Sequence, residues 1–132
     1  MKILHIVHWQ NSGIYHVANT LKKASLNTDD KHEILVIRDN KQKLPIKNIL
    51  RVLFNLLSNK YDVCHAHSFL PILFLPLALF THRCITFHNN YPYFDKLSLR
   101  DRIKCSVTEL IATFLKVKCS TISITVDNCV IK

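Results

Sequence analysis

Five short runs rich in isoleucine, leucine and valine recur along this chain of 132 residues, and longer runs with helical spacing separate them. The runs are Lys2–His8, His32–Arg38, Val63–His67, Arg83–His88 and Thr121–Val126. Lys2–His8 reads as apolar on both faces, which suits a strand covered from both sides. Between the first two runs, Ile14, Val17, Ala18, Leu21 and Ala24 recur at helical spacing. Leu44–Asn59 follows the second run, with Ile46, Ile49, Leu50, Leu53, Phe54 and Leu57 in one stripe and Pro45 in its first turn. Phe69–Phe80 predicts a short helix kinked at Pro76. Leu99–Val117 predicts a long amphipathic helix with Ile103, Val107, Leu110, Ile111 and Phe114 inward. Such alternation specifies an α/β fold, a doubly wound parallel sheet of about five strands with helices on both faces. Ligands of such sheets bind beyond the carboxyl ends of the strands, where the strand order reverses.

One glycine serves the whole chain. Gly13 falls where the first strand gives way to the first helix. Two explanations compete: a tight turn that needs positive φ, or a close approach of ligand to free backbone N–H groups. The surrounding loop is neither a dinucleotide-binding glycine motif nor a Walker loop.

Composition narrows the class. Hydrophobic residues make up 48% and charged residues 20%, enough for one packed domain over 1–132. The net charge of +9 favours acidic partners. No aromatic-interleaved RNA motif or helix-turn-helix pattern accompanies the charge, so nucleic acid is not expected. Five cysteines, none in a Cys-x-x-Cys pair, indicate free thiols and a cytoplasmic protein. The opening MKILHIVH lacks the apolar length of a secretory leader. Phe69–Phe80, the most apolar stretch, is well short of the roughly 20 residues that a membrane-spanning helix requires. Lys41, Lys43, Lys47 and Arg51 flank the Leu44–Asn59 stripe. A core-facing helix with a solvated basic face is the favoured reading. Peripheral contact with the inner face of an anionic membrane is the alternative.

Histidines mark the predicted strand ends His8, His67 and His88. Histidine donates to phosphate, exchanges protons near neutral pH or ligates metal. His65 and His67 share one face of their strand, being two residues apart, whereas Cys64 points the other way. Two ligands fall short of the four of a zinc site, so neither a metal nor another cofactor is expected.

In this order the segments resemble the N-terminal domain of family 4 glycosyltransferases, which have the GT-B fold. MKILHIVHWQNSGIYHVANTL is similar to the family's opening strand, glycine loop and helix, and KHEILVI to its second strand. YDVCHAHSF resembles its Asp-x-x-His-x-His strand, ITFHNN its Thr-x-His strand end, and TISIT the strand before its final helices. The family's usual third strand has no counterpart, which implies the strand order 2-1-3-4-5. Ser12-Gly13 stands where the family often has two glycines.

The resemblance implies a Rossmann-like domain that forms the acceptor side of a nucleotide-sugar-dependent enzyme making a surface polysaccharide or similar glycan. A separate donor-binding domain, with no counterpart here, would complete it, and the reaction would need no metal. His88 would be the catalytic residue beside the transferred sugar. Gly13, Ser12, His67, His8 and Asn89 would bind substrate, with Gly13 and His88 lining one pocket and His8 or His67 at its wall. The partners implied are a nucleotide-sugar donor, a glycan or lipid-linked acceptor and a separate donor-domain chain. Two other functions fit the same pattern: a non-catalytic remnant or subunit, and a small module that binds a phosphate-bearing ligand.

Overall fold

The computed structural model describes residues 1–10, 12–38, 45–58, 60–87, 98–115 and 118–121. Its strands are β1 (Lys2–Trp9), β2 (Lys31–Arg38), β3 (Val63–His67), β4 (His82–Phe87) and the four-residue β5 (Lys118–Thr121). The helices are α1 (Gly13–Ala24), α2 (Ile46–Leu57), the single turn α3 (Phe69–Ile72) and α4 (Leu99–Phe114). All described pairings are parallel, and the order is β2-β1-β3-β4-β5. The order reverses between β1 and β3, the strand order that the family resemblance implies.

The register assigns the side chains to two unlike faces. Leu4, Ile6, Leu35, Ile37, Cys64, Ala66 and Ile85 face one side and join Val52, Leu56, Ile72 and Leu75 in the core. Ile111 and Ala112 of α4 and its C-cap Leu115 pack against the same cluster. The α1 helix lies on the opposite side, where its Tyr15 and Asn19 border a cleft with Ile34 and Val36. This division of helices follows from right-handed crossovers, since only β1 to β2 runs leftward in the sheet.

Four expectations need correction. Phe69–Phe80 is not one helix: α3 stops at Ile72, and a 3-10 turn over Leu75–Leu77 carries Pro76. Pro76 lacks the N–H that a continuous helix would bond to the Ile72 carbonyl, whereas Pro71 sits in the first turn, where no such donor is needed. The α2 stripe divides along its length. Val52 and Leu56 are buried and Ile49 and Leu53 half-buried, whereas Ile46, Leu50, Phe54 and Leu57 are exposed. On α4 the buried position is Thr108, and Ile103, Leu110 and Phe114 face out. Both helices carry apolar residues around more than half their circumference, so periodicity leaves the angle of docking open. Finally, β1 is not apolar on both faces, because His5 is wholly buried on the side that α1 covers.

Candidate functional site

Two groups of polar side chains stand out, both near the β1–β3 switch. The first is a histidine cluster inside the sheet. His5 lies directly opposite His65 in the parallel register. His67 is two residues further along β3 and therefore on the same face. His32 joins them from β2, diagonally across from His5. His5 Nδ1 is 3.0 Å from His67 Nε2, and His5 Nε2 is 2.9 Å from His32 Nδ1. The His65 and His67 rings are tilted by 35° with centroids 3.9 Å apart, and His65 Nε2 lies 2.6 Å from Thr86 Oγ1.

His5 and His67 expose 1% and none of their surface. Burial, and then the neighbouring His65 and His32, push the His5 pKa down to about 3. A neutral His5 donates from one ring nitrogen and accepts at the other, which matches neighbours on both sides. A proton added there would leave a desolvated cation among other imidazoles.

The second group lies at the carboxyl ends of the strands. Trp9 ends β1, Arg38 ends β2, and Ser68 follows β3. Among the described residues, His8 Nε2, Arg38 Nε and Ser68 Oγ are buried atoms with no hydrogen-bond partner. Burial, with the Arg38 guanidinium as a smaller cause, holds His8 below its ordinary pKa. Ser68 has φ 77° and ψ 172°, a region that is rare for any residue but glycine. Strain of this kind costs on the order of 1–3 kcal/mol and concentrates at ligand sites.

Ser12 and Gly13 stand on the same rim. Ser12 Oγ accepts from the Tyr15 N–H at 3.1 Å and caps α1, while donating to the Trp9 carbonyl at 2.8 Å. Gly13 is the first residue of α1, exposed, and has no positive φ. The tight-turn explanation therefore fails, since any residue adopts this backbone. A Cβ built on Gly13 would meet nothing within 4 Å. A side chain here would project into open space at the helix N-terminus, where backbone N–H groups favour anions.

The expected site residues fall into three places. Ser12, Gly13 and His8 share the rim. His67 is buried with His5 and His65 on the face of the sheet opposite His8. His88 and Asn89 lie outside the described residues. Sequence reading had missed His5 and His32 as members of a cluster. Their only sequence signal was the His-x-His pair of β3, and the partners emerge from strand register. No family model, curated protein or solved structure matches the chain.

Proposed function

We propose that the chain is the acceptor-side domain of a nucleotide-sugar-dependent glycosyltransferase, working with a donor-binding domain in glycan synthesis. The observation that carries this reading is the rim at the β1–β3 switch. There the capped, unobstructed N-terminus of α1 adjoins strand ends whose buried His8, Arg38 and Ser68 atoms lack protein partners. Open α/β sheets bind ligands at this location. The positive helix end and Arg38 suit a sugar diphosphate, and Ser68 and His8 suit hydroxyl groups. Catalysis would then rest on holding the acceptor beside the donor, with His88 reserved for the transferred sugar.

Amide NMR tests the reading. Titrating the chain with nucleotide sugars and lipid-linked glycans is expected to shift the amides of Ser12–Tyr15 and Ser68. Gly13→Val should abolish those shifts through bulk, while leaving the fold intact because the site for its Cβ is open. Shifts confined to other regions, or unchanged in Gly13→Val, would remove the rim from the function.

A second observation favours a peripheral place at the membrane. No described helix is long and apolar enough to cross a bilayer. On α2, however, the outward residues Ile46, Leu50, Phe54 and Leu57 form an apolar stripe, with Phe54 67% exposed. Lys47 and Arg51 are exposed beside it, and Lys60 Nζ sits 5.5 Å from the Phe54 ring centroid. An apolar stripe edged by cations, in a chain of charge +9, complements an anionic lipid surface. The chain should sediment with vesicles containing phosphatidylserine, less so at high salt or as Phe54→Glu. Equal sedimentation with neutral vesicles would exclude the electrostatic part of this contact, and none with either would exclude the contact itself.

A further inference from the structure

We propose that His5, His65 and His67 form a three-histidine site for a divalent cation of the zinc class, joining β1 to β3. Each residue offers one ring nitrogen, and the three nitrogens lie within 4.8 Å of one another. Zinc–nitrogen bonds of about 2.0–2.1 Å at tetrahedral angles set ligating nitrogens roughly 3.3 Å apart. The 3.0 Å between His5 Nδ1 and His67 Nε2 is already near that spacing. Small rotations of the rings would bring the remaining nitrogen to the same distance.

Two features favour a cation over a cluster of histidines that merely bond to one another. The sheet supplies the ligands from two adjacent inner strands, β1 and β3, so the backbone fixes two of them opposite each other through the His5–His65 register. An outer partner also stands in place. His32 Nδ1 is 2.9 Å from His5 Nε2. With His5 donating from Nε2 to His32, the Nδ1 lone pair is directed at His67 and the proposed ion. Outer partners of this kind fix the tautomer and orientation of metal-ligating histidines. Imidazole ligands without thiolate or carboxylate suit zinc, cobalt, nickel or copper rather than magnesium or calcium. Three protein ligands leave a fourth position for solvent or a ligand oxygen. The inference is independent of glycosyl transfer.

The test uses the whole chain, stripped with chelator, and Zn²⁺ or Co²⁺ alone as the probe. Competition against a chromophoric chelator should give one Zn²⁺ per chain and a higher thermal midpoint when it is bound. Co²⁺ should give the visible spectrum of a four-coordinate nitrogen and oxygen site, with no thiolate charge-transfer band. His65→Ala and His67→Ala should each weaken binding at least 100-fold, and His32→Ala by about 10-fold as an outer partner. Absence of stoichiometric binding, a thiolate band, or unchanged affinity in both ligand variants would overturn the site. If the variants fail to fold by circular dichroism, the Co²⁺ spectrum of the native chain decides alone.

Discussion

Acidification from pH 6.5 to 4.5 is expected to cost the chelator-treated protein about 2–3 kcal/mol of stability through His5 alone. The unfolded chain protonates this imidazole near pH 6.5. The folded chain resists until about pH 3, first because the ring is buried and then because His65 and His32 lie beside it. Between these values the unfolded state holds the extra proton, so stability rises with pH there and falls as acid is added. The contribution is complete above pH 6.5 and shrinks by about 1.4 kcal/mol for each pH unit below it. His67 and His32 face the same ring at hydrogen-bond distance and offer no carboxylate to offset a charge. The lowered pKa of His8 acts in the same direction.

Urea denaturation at several pH values measures this slope. His5→Gln should flatten it by about one proton while preserving a neutral polar group. Equal slopes for the two proteins would refute the assignment. Direct NMR titration of the His5 ring in the native chain provides the check should the variant not fold.

Ile6→Ala should destabilise the protein by about 2–5 kcal/mol, a large share of the roughly 5–15 kcal/mol available to a typical domain. Ile6 is fully buried at the centre of β1, between Leu35 on β2 and Ala66 on β3 in register. Ala66 is too small to fill the space left, and both flanking strands are held by hydrogen bonds, so the cavity would persist. Phe54→Ala supplies the contrast. Phe54 is larger, but it is 67% exposed on α2, and its loss should change stability by about 0.5 kcal/mol or less. Comparable losses for the two variants would mean that the outer α2 stripe is covered in solution or that the core is assigned to the wrong face.

The predicted and observed elements agree best where a single physical requirement acts locally. Runs such as HEILVIR are short and β-branched, and they alternate with amphipathic segments. Parallel strands need long crossovers, and crossovers have one favoured hand. These two constraints lead from the sequence to the doubly wound parallel sheet, whereas the order β2-β1-β3-β4-β5 follows from the family resemblance alone and agrees with the observed pairings. The last strand shows the limit of local reading. Its described residues are Lys118–Thr121 rather than Thr121–Val126, and those beyond Thr121 lie outside the described residues.

The sequence by itself determined the alternation, the position of Gly13 between β1 and α1, and the shared face of His65 and His67. Each follows from a repeat of two or 3.6 residues, or from neighbours along the chain. Only the tertiary structure decided which side of α2 meets the core, because apolar residues cover more than half of that helix's circumference and periodicity leaves the docking angle within that arc open. Only the structure removed the turn explanation for Gly13, since φ is a property of the folded backbone. It alone assembled the histidines as well. His5 lies 60 residues from His65 in the chain, and the two become neighbours through a parallel register that no local periodicity encodes.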